Sequence, residues 1–175
     1  MSAASKASIK IPANLDSKDF VRFGLFDAFR RKKLWKAPLL FTVIMLSFGG
    51  VCFGLRTKNP QALLPATILT VIGLLLPLVW FFLFLSSLKT QAKKFRLSKA
   101  KAQYVTSLSP DRIKVVKGKE EGIFYWKDVY MAYRAKGCIY LYVSPTRAFL
   151  LPDHADSEAA WDMILSLLPA EKVKG

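Results

Sequence analysis

The chain of 175 residues has a single histidine and only two cysteines. The histidine, His154, has Asp153 and Asp156 beside it in the sequence, but too few ligands converge there for a metal site of familiar spacing. Neither Cys52 nor Cys138 has a nearby base that would make it a nucleophile, and no nucleophile-elbow, P-loop or CxxC motif is present. We therefore predict no enzyme activity, no catalytic residues, no metal and no cofactor.

Charge is absent from two long apolar runs, 37–55 and 62–88. At ~1.5 Å per residue these would form helices of about 28 Å and about 40 Å, against a hydrocarbon layer of ~30 Å. Two buried helices of a soluble core are the alternative, but the rest of the chain is too short to cover both. The sequence predicts two transmembrane helices, 37–55 and 62–88, joined by an external turn at 56–61. Because neither run carries an ionisable residue, we do not expect a transporter that works alone.

The positive charge is concentrated beside these runs. Of the net charge of +15, residues 1–36 carry +6, residues 89–103 carry +6 and residues 104–175 only +1. A nucleic-acid-binding domain would hold its excess on the soluble part, so we predict no nucleic-acid partner. Basic residues near span ends stay cytoplasmic, which predicts that both termini are cytoplasmic. Eight bases are candidate contacts to anionic lipid of the inner leaflet: Arg30, Arg31, Lys32, Lys33, Lys89, Lys93, Lys94 and Arg96.

The segments that flank the hairpin have their own patterns. Residues 1–15 predict a flexible N-terminus, and residues 89–103 a basic connector helix. Residues 16–36 predict an amphipathic juxtamembrane helix rich in phenylalanine. Its apolar face could lie in the membrane interface or pack on the soluble domain, and the sequence favours neither.

Gly50 and Gly54 have the G-x-x-x-G spacing, which places two bare patches on one helix face. We predict that this face packs against the second span of the same chain, with a homo-oligomer as the alternative.

Residues 104–170 change to short β-like runs separated by turn residues, among them Ser109-Pro110-Asp111 and Ala135-Lys136-Gly137. The last run ends at Pro152, and an amphipathic helix follows, capped by Asp156 or Ser157. The fold class predicted is a membrane α-helical hairpin plus a small α+β domain, in which one helix covers a bent antiparallel sheet or barrel. The apolar stripe of that helix is Trp161, Ile164, Leu165, Leu167 and Leu168.

The central hairpin of this domain combines tyrosines with basic residues, a mixture favoured at interfaces. Its candidate interaction surface is Tyr125, Lys127, Arg134, Lys136, Tyr140 and Tyr142.

The same stretch carries a resemblance. Trp126 is followed two residues later by Asp128, and the I-Y-L-Y strand Ile139–Tyr142 leads to a strand that ends in proline, Phe149–Pro152. A two-span hairpin followed by these motifs resembles the bacterial YcxB-like family, over about residues 15–168. The resemblance implies a protein of the bacterial cytoplasmic membrane with a pleckstrin-homology-like (PH-like) domain on the cytoplasmic face. It implies no catalysed reaction.

In this setting Trp126 is expected in the core and Asp128 in a turn. The family places a basic residue after the proline, where this chain has Asp153 and His154.

These observations predict a membrane-anchored interaction or regulatory module that binds a protein partner or anionic lipid headgroups. One alternative is an immunity protein against a bacteriocin or membrane-active toxin, and another is an accessory subunit of a membrane transporter.

Overall fold

The computed structural model describes residues 8–95 and 102–175, which fall into two compact units. A helical unit contains residues 17–95, and a β unit contains residues 8–16 and 102–175. The chain therefore leaves the β unit after one strand, builds the whole helical unit and then returns.

The helical unit has three α-helices: α1 (Ser17–Leu25), α2 (Lys36–Gly54) and α3 (Leu63–Lys94). α1 continues as a π-helical segment, Phe26–Arg31, and two 3₁₀ turns, Leu55–Thr57 and Pro60–Ala62, join α2 to α3. With these turns, Lys36–Thr57 and Pro60–Lys94 are long and apolar enough to cross a membrane. Only 6% of the most apolar 18-residue stretch of each helix is buried, whereas a core helix of a soluble protein would be mostly buried. Two long apolar helices are thus confirmed.

The contact between α2 and α3 is built on glycines other than those predicted. A Cβ on Gly73 would lie 2.8 Å from the Cβ of Met45, and one on Gly49 would lie 3.0 Å from a hydroxyl of α3. A Cβ on Gly50 or Gly54 would have nothing within 4 Å. The predicted packing of Gly50 and Gly54 on the second span is therefore wrong. Successive residues of a helix point about 100° apart, so Gly50 lies beside the contact that Gly49 makes and lines a groove along α3 without touching it.

Pro77 lies inside α3 and has no backbone N–H. The carbonyl of Gly73, four residues earlier, consequently lacks its donor within the helix. The Thr42 hydroxyl of α2 lies 3.1 Å from this oxygen and can donate to it, and it lies 3.0 Å from the Pro38 carbonyl of its own helix. The neighbouring helix thus supplies a donor where α3 loses one, at the glycine that permits the close approach.

α1 packs on the polar end of α3. A Cβ on Gly24 would lie 2.6 Å from a methyl of Leu88, and the rings of Phe20 and Phe95 are 5.4 Å apart. The apolar face of α1 therefore packs in part on α3, a partner that the sequence did not indicate. The reason is that α3 continues past the apolar run to Lys94 and offers α1 a partner in its own unit. The place of α1 in the membrane interface or on the soluble domain stays a prediction.

The β unit has two four-stranded sheets and one α-helix. In the first sheet, neighbouring strands are antiparallel in the order β1 (Ile9–Pro12), β2 (Val105–Leu108), β3 (Ile113–Lys117) and β4 (Glu120–Phe124). The second sheet has the order β7-β6-β5-β8, formed by β5 (Met131–Ala135), β6 (Cys138–Tyr142), β7 (Ala148–Pro152) and β8 (Val173–Lys174). β8 runs parallel to β5, while the other pairs are antiparallel. Helix α4 (Ser157–Leu167) precedes β8.

The N-terminal segment is more ordered than predicted. Residues 9–12, placed by sequence in a flexible N-terminus, form β1 and pair with β2, so that Ile9 lies opposite Leu108. The side chain of Ile11 is fully buried in the core, and Ala13 and Leu15 are also buried. This strand could not be predicted from local sequence, because its partner β2 follows the whole helical unit in the chain. Residues 1–7 and 96–101, which include Arg96 and part of the predicted connector, are outside the described residues.

The core of the β unit lies between both sheets and α4. α4 contributes Trp161, Ile164 and, just after its end, Leu168, all buried. Leu165 was predicted in the same stripe but is 49% exposed, because it lies about 100° from Ile164 around the helix. Asp156 precedes the first turn without a side-chain capping bond, and the Ser157 hydroxyl instead accepts from the His154 N–H at 2.8 Å.

Tyr104 ties the start of β2 to the second sheet. Its hydroxyl accepts from the Leu150 N–H at 2.7 Å and lies 3.0 Å from the Leu150 carbonyl oxygen, to which it donates. Burial of the phenol raises its pKa, because the charged form would lose its hydration. The neutral hydroxyl is therefore maintained as both donor and acceptor between the two sheets.

Candidate functional site

The structure does not bring the six residues of the predicted interaction surface together. Tyr140 and Tyr142 are each 1% exposed, so they are not available to a partner, and that part of the prediction is wrong. Both lie on β6, which has a strand on each side in its sheet. Their neighbours Ile139 and Leu141 face the core, and the opposite face of the strand is also buried. The alternation of side chains along a strand predicts which residues share a face of the sheet. It does not predict whether one face or both faces are buried in the folded domain.

Arg134 lies near the end of β5, and Lys136 lies in the turn between β5 and β6. The guanidinium of Arg134 pairs with Glu158 in the first turn of α4 and lies 5.8 Å from the ring centre of Trp161. The hydrogen bond that Arg134 donates to the Glu158 carboxylate raises the pKa of Arg134. A polar pocket of about 200 Å³ beside this pair is lined by acids and bases alike, including Lys136, Asp153 and Glu158. Arg134 therefore links α4 to the sheet.

Tyr125 and Lys127 lie beyond the other end of β5, in the connection from β4. Residues 125–130 form this β4–β5 loop, which contains the 3₁₀ turn Trp126–Asp128. Tyr125 is 51% exposed and Tyr130 is 43% exposed, and the ammonium of Lys127 lies 5.8 Å from the ring centre of Tyr125. Sequence reasoning missed Tyr130, although it lies within the same tyrosine-rich hairpin.

Buried side chains and hydrogen bonds hold the backbone of the β4–β5 loop in place. Trp126 is buried, as predicted, and its indole N–H donates to the Ser109 carbonyl at 2.8 Å. Val129 is also buried, and the Lys172 ammonium donates to the carbonyls of Val129 and Lys127 at 2.8 and 3.3 Å. Asp128 lies in the turn, as predicted, and its N–H donates to the Tyr125 carbonyl. The loop thus presents two tyrosines and a lysine on a held backbone, which lowers the entropy that binding must remove.

The predicted lipid-contact bases fall into different settings. Arg31 and Lys32 both pair with Asp27, the second at 2.8 Å, so their charge is partly neutralised within the helical unit. Arg30, Lys33 and Lys94 are exposed. Lys89 and Lys93 line a groove together with Lys18 and Arg22 of α1, two bases that were not among the predicted contacts. Their i, i+4 spacing on α1, matched by Lys89 and Lys93 on α3, is the signal that could have found them.

Residues 8–95 and 102–175 contain no group of three or more His, Cys, Asp or Glu side chains placed to hold a metal ion. His154 Nδ1 lies 3.4 Å from a carboxylate oxygen of Asp156, in an exposed turn before α4.

Comparison with known proteins concerns the β unit. Residues 108–168, from the end of β2 to the residue after α4, match the model of the family described as YcxB-like protein. No curated protein and no solved structure matches the chain. The matched segment contains the Trp126–Asp128 turn and the β6 and β7 strands on which the resemblance was based. The resemblance to the YcxB-like family is therefore confirmed for residues 108–168.

Proposed function

We propose that this protein is a membrane-anchored interaction module, without chemistry of its own, in which the β4–β5 loop binds a protein partner at the cytoplasmic face of a bacterial membrane. The observation that carries the proposal is the exposure of Tyr125 and Tyr130 on a loop held by Trp126 and Lys172. Tyrosines that are exposed and already positioned are typical of sites that dominate binding energy.

The anchor would be the α2–α3 hairpin. Its apolar side chains are exposed over both helices, and water would be an unfavourable solvent for so large an apolar surface. The β unit would be PH-like, which is supported by its two small sheets and a helix that packs on them near the C-terminal end.

The distribution of basic residues supports a topology with both termini in the cytoplasm. In a background with Cys52→Ser and Cys138→Ser, we expect a membrane-impermeant maleimide to label Lys58→Cys in intact cells. Gly175→Cys should react only after the membrane is permeabilised. The physical reason is that basic residues crowd the ends of the spans away from the turn at Lys58. If Gly175→Cys is labelled in intact cells and Lys58→Cys is not, the orientation is the opposite of the one proposed, and the proposal is contradicted.

The loop can be tested by photo-crosslinking of the full chain in native membranes. With p-benzoylphenylalanine in place of Tyr125 or Tyr130, we expect one crosslinked product common to both positions. Lys127→Glu should reduce its yield about tenfold, the effect of losing one strong interface contact.

The matched control is Lys119, an exposed lysine in the turn between β3 and β4. Lys119→Glu makes the same charge change and should leave the crosslink unchanged, and the photo-reactive residue placed at position 119 should give no such product. Equal crosslinking from position 119, or equal loss with Lys119→Glu, would show that the loop is not the site.

A further inference from the structure

The helical unit contains a groove of about 510 Å³ along the seam between α1 and the polar end of α3. Two apolar residues of α1, Val21 and Leu25, line it, and the carbon stems of basic side chains add further apolar surface. The rim carries four bases, Lys18 and Arg22 from α1 and Lys89 and Lys93 from α3. A groove with apolar and basic side chains is complementary to a ligand that is both apolar and anionic.

The lining of the groove carries positive charge only, although Asp19 lies next to Lys18 on α1. No carboxylate lines the groove, and within the part of the chain that the structure describes none of the four bases has an ion pair. Asp27, by contrast, pairs with Arg31 and Lys32 further along the chain. Four basic side chains around one cavity repel one another, so an anion seated among them would be stabilised.

The position of the groove along α3 places it next to the headgroup layer of a bilayer, on the side away from the hydrocarbon core. At ~1.5 Å per residue, a hydrocarbon core of ~30 Å takes about 20 residues, so a core that begins near Leu63 ends near Leu83. Lys89 and Lys93 then lie about 9 and about 15 Å beyond it, past a headgroup layer that is about 5–8 Å thick, so that their side chains have to reach back toward the phosphates. The rings of Phe29 and Phe84, 6.1 Å apart, lie near the boundary, where aromatic side chains are favoured.

We propose that this groove is a specific site for one anionic phospholipid. The phosphate lies among Lys18, Arg22, Lys89 and Lys93, and the glycerol and the ester end of an acyl chain lie against Val21 and Leu25. The site rests on the membrane anchoring proposed above but not on the β4–β5 loop. The occupant is a lipid of the inner leaflet, because the groove combines unpaired positive charge with apolar side chains next to the headgroup layer.

The test uses the full chain purified in dodecyl maltoside and native mass spectrometry with two lipids, dioleoylphosphatidylglycerol and dioleoylphosphatidylcholine. We expect one phosphatidylglycerol to bind at least tenfold more tightly than phosphatidylcholine. Combining Lys18→Gln, Arg22→Gln, Lys89→Gln and Lys93→Gln should weaken phosphatidylglycerol binding at least tenfold.

The matched control removes the same number of exposed bases outside the groove, by Arg30→Gln, Lys33→Gln, Lys36→Gln and Lys94→Gln. It should change the affinity less than threefold. In a second variant, Val21→Phe with Leu25→Phe fills the groove without changing charge and should also weaken binding at least tenfold. This variant separates loss of the site from loss of general attraction to the membrane.

Several results would overturn the proposal. They are equal binding of both lipids, an equal loss in the control variant, and displacement of the lipid by millimolar glycerol 1-phosphate, which would identify a soluble phosphate as the ligand. An acidic peptide that copurifies and excludes lipid would identify a protein partner instead. Lys127→Glu should leave lipid binding unchanged, so failure of the groove and failure of the loop are separate outcomes.

Discussion

Gly73→Leu is expected to separate α2 from α3. A Cβ at position 73 would already lie 2.8 Å from the Cβ of Met45, closer than two such atoms can approach, and leucine adds three more carbons. Overpacking of this kind costs about 1–3 kcal/mol or more, and separation would also remove the Thr42 donor from the Gly73 carbonyl. We expect the free energy of unfolding of the hairpin, measured by titrating dodecyl maltoside micelles with sodium dodecyl sulfate, to fall by at least this amount.

Gly50→Leu is the control for this experiment. It places the same side chain one residue from the helix contact, where a Cβ has nothing within 4 Å. Both variants lose a helix glycine, so both gain the same intrinsic helix propensity. Gly50→Leu should therefore leave the hairpin as stable as the natural protein or slightly more so. Equal destabilisation by both variants would mean that the contact at Gly73 is not what holds α2 to α3.

Trp126→Ala is expected to lower the free energy of unfolding of the β unit by about 3–5 kcal/mol, the usual cost of removing a buried tryptophan. The change leaves a cavity in the core and removes the donor to the Ser109 carbonyl. Hydrogen exchange of the full chain, read by mass spectrometry on peptides from residues 104–168, should show faster exchange throughout the β unit. Peptides of α2 and α3 should be unchanged.

Tyr125→Ala provides the comparison, because it removes the neighbouring aromatic side chain of the same loop from an exposed position. Its effect on exchange should correspond to less than about 1 kcal/mol, since surface substitutions away from caps and networks change stability little. A large effect of Tyr125→Ala would show that this tyrosine stabilises the fold, and its proposed role in binding a partner would lose its support.

Much of the β unit could be predicted from local patterns. Ser109-Pro110-Asp111 separates β2 from β3 and Ala135-Lys136-Gly137 separates β5 from β6, and the strands appear on either side of both turns, as predicted. These hairpins depend on residues adjacent in the chain, so turn chemistry and alternation suffice to predict them. Gly137, with a φ of 79°, occupies a conformation that favours glycine.

The candidate sites were only partly predictable, because exposure is a property of the assembled fold. Tyr125 and Tyr142 have the same side chain and similar neighbours in sequence, yet one is exposed on a loop and the other is buried in a sheet. Lys89 and Lys93 were predicted as general lipid contacts, and only the packing of α1 on α3 placed Lys18 and Arg22 beside them.

The sequence by itself determined the features that depend on composition and on neighbours: two long uncharged helices, basic residues at their ends, and a C-terminal segment of hairpins followed by a helix. The tertiary structure decided which glycines join α2 to α3, that α1 packs in part on α3, and that Ile9–Pro12 is a strand of a sheet whose next strand begins at Val105. These features depend on pairs of residues far apart in the chain. Such pairs have no spacing or periodicity that marks them, because their contact energy appears only when the chain is folded.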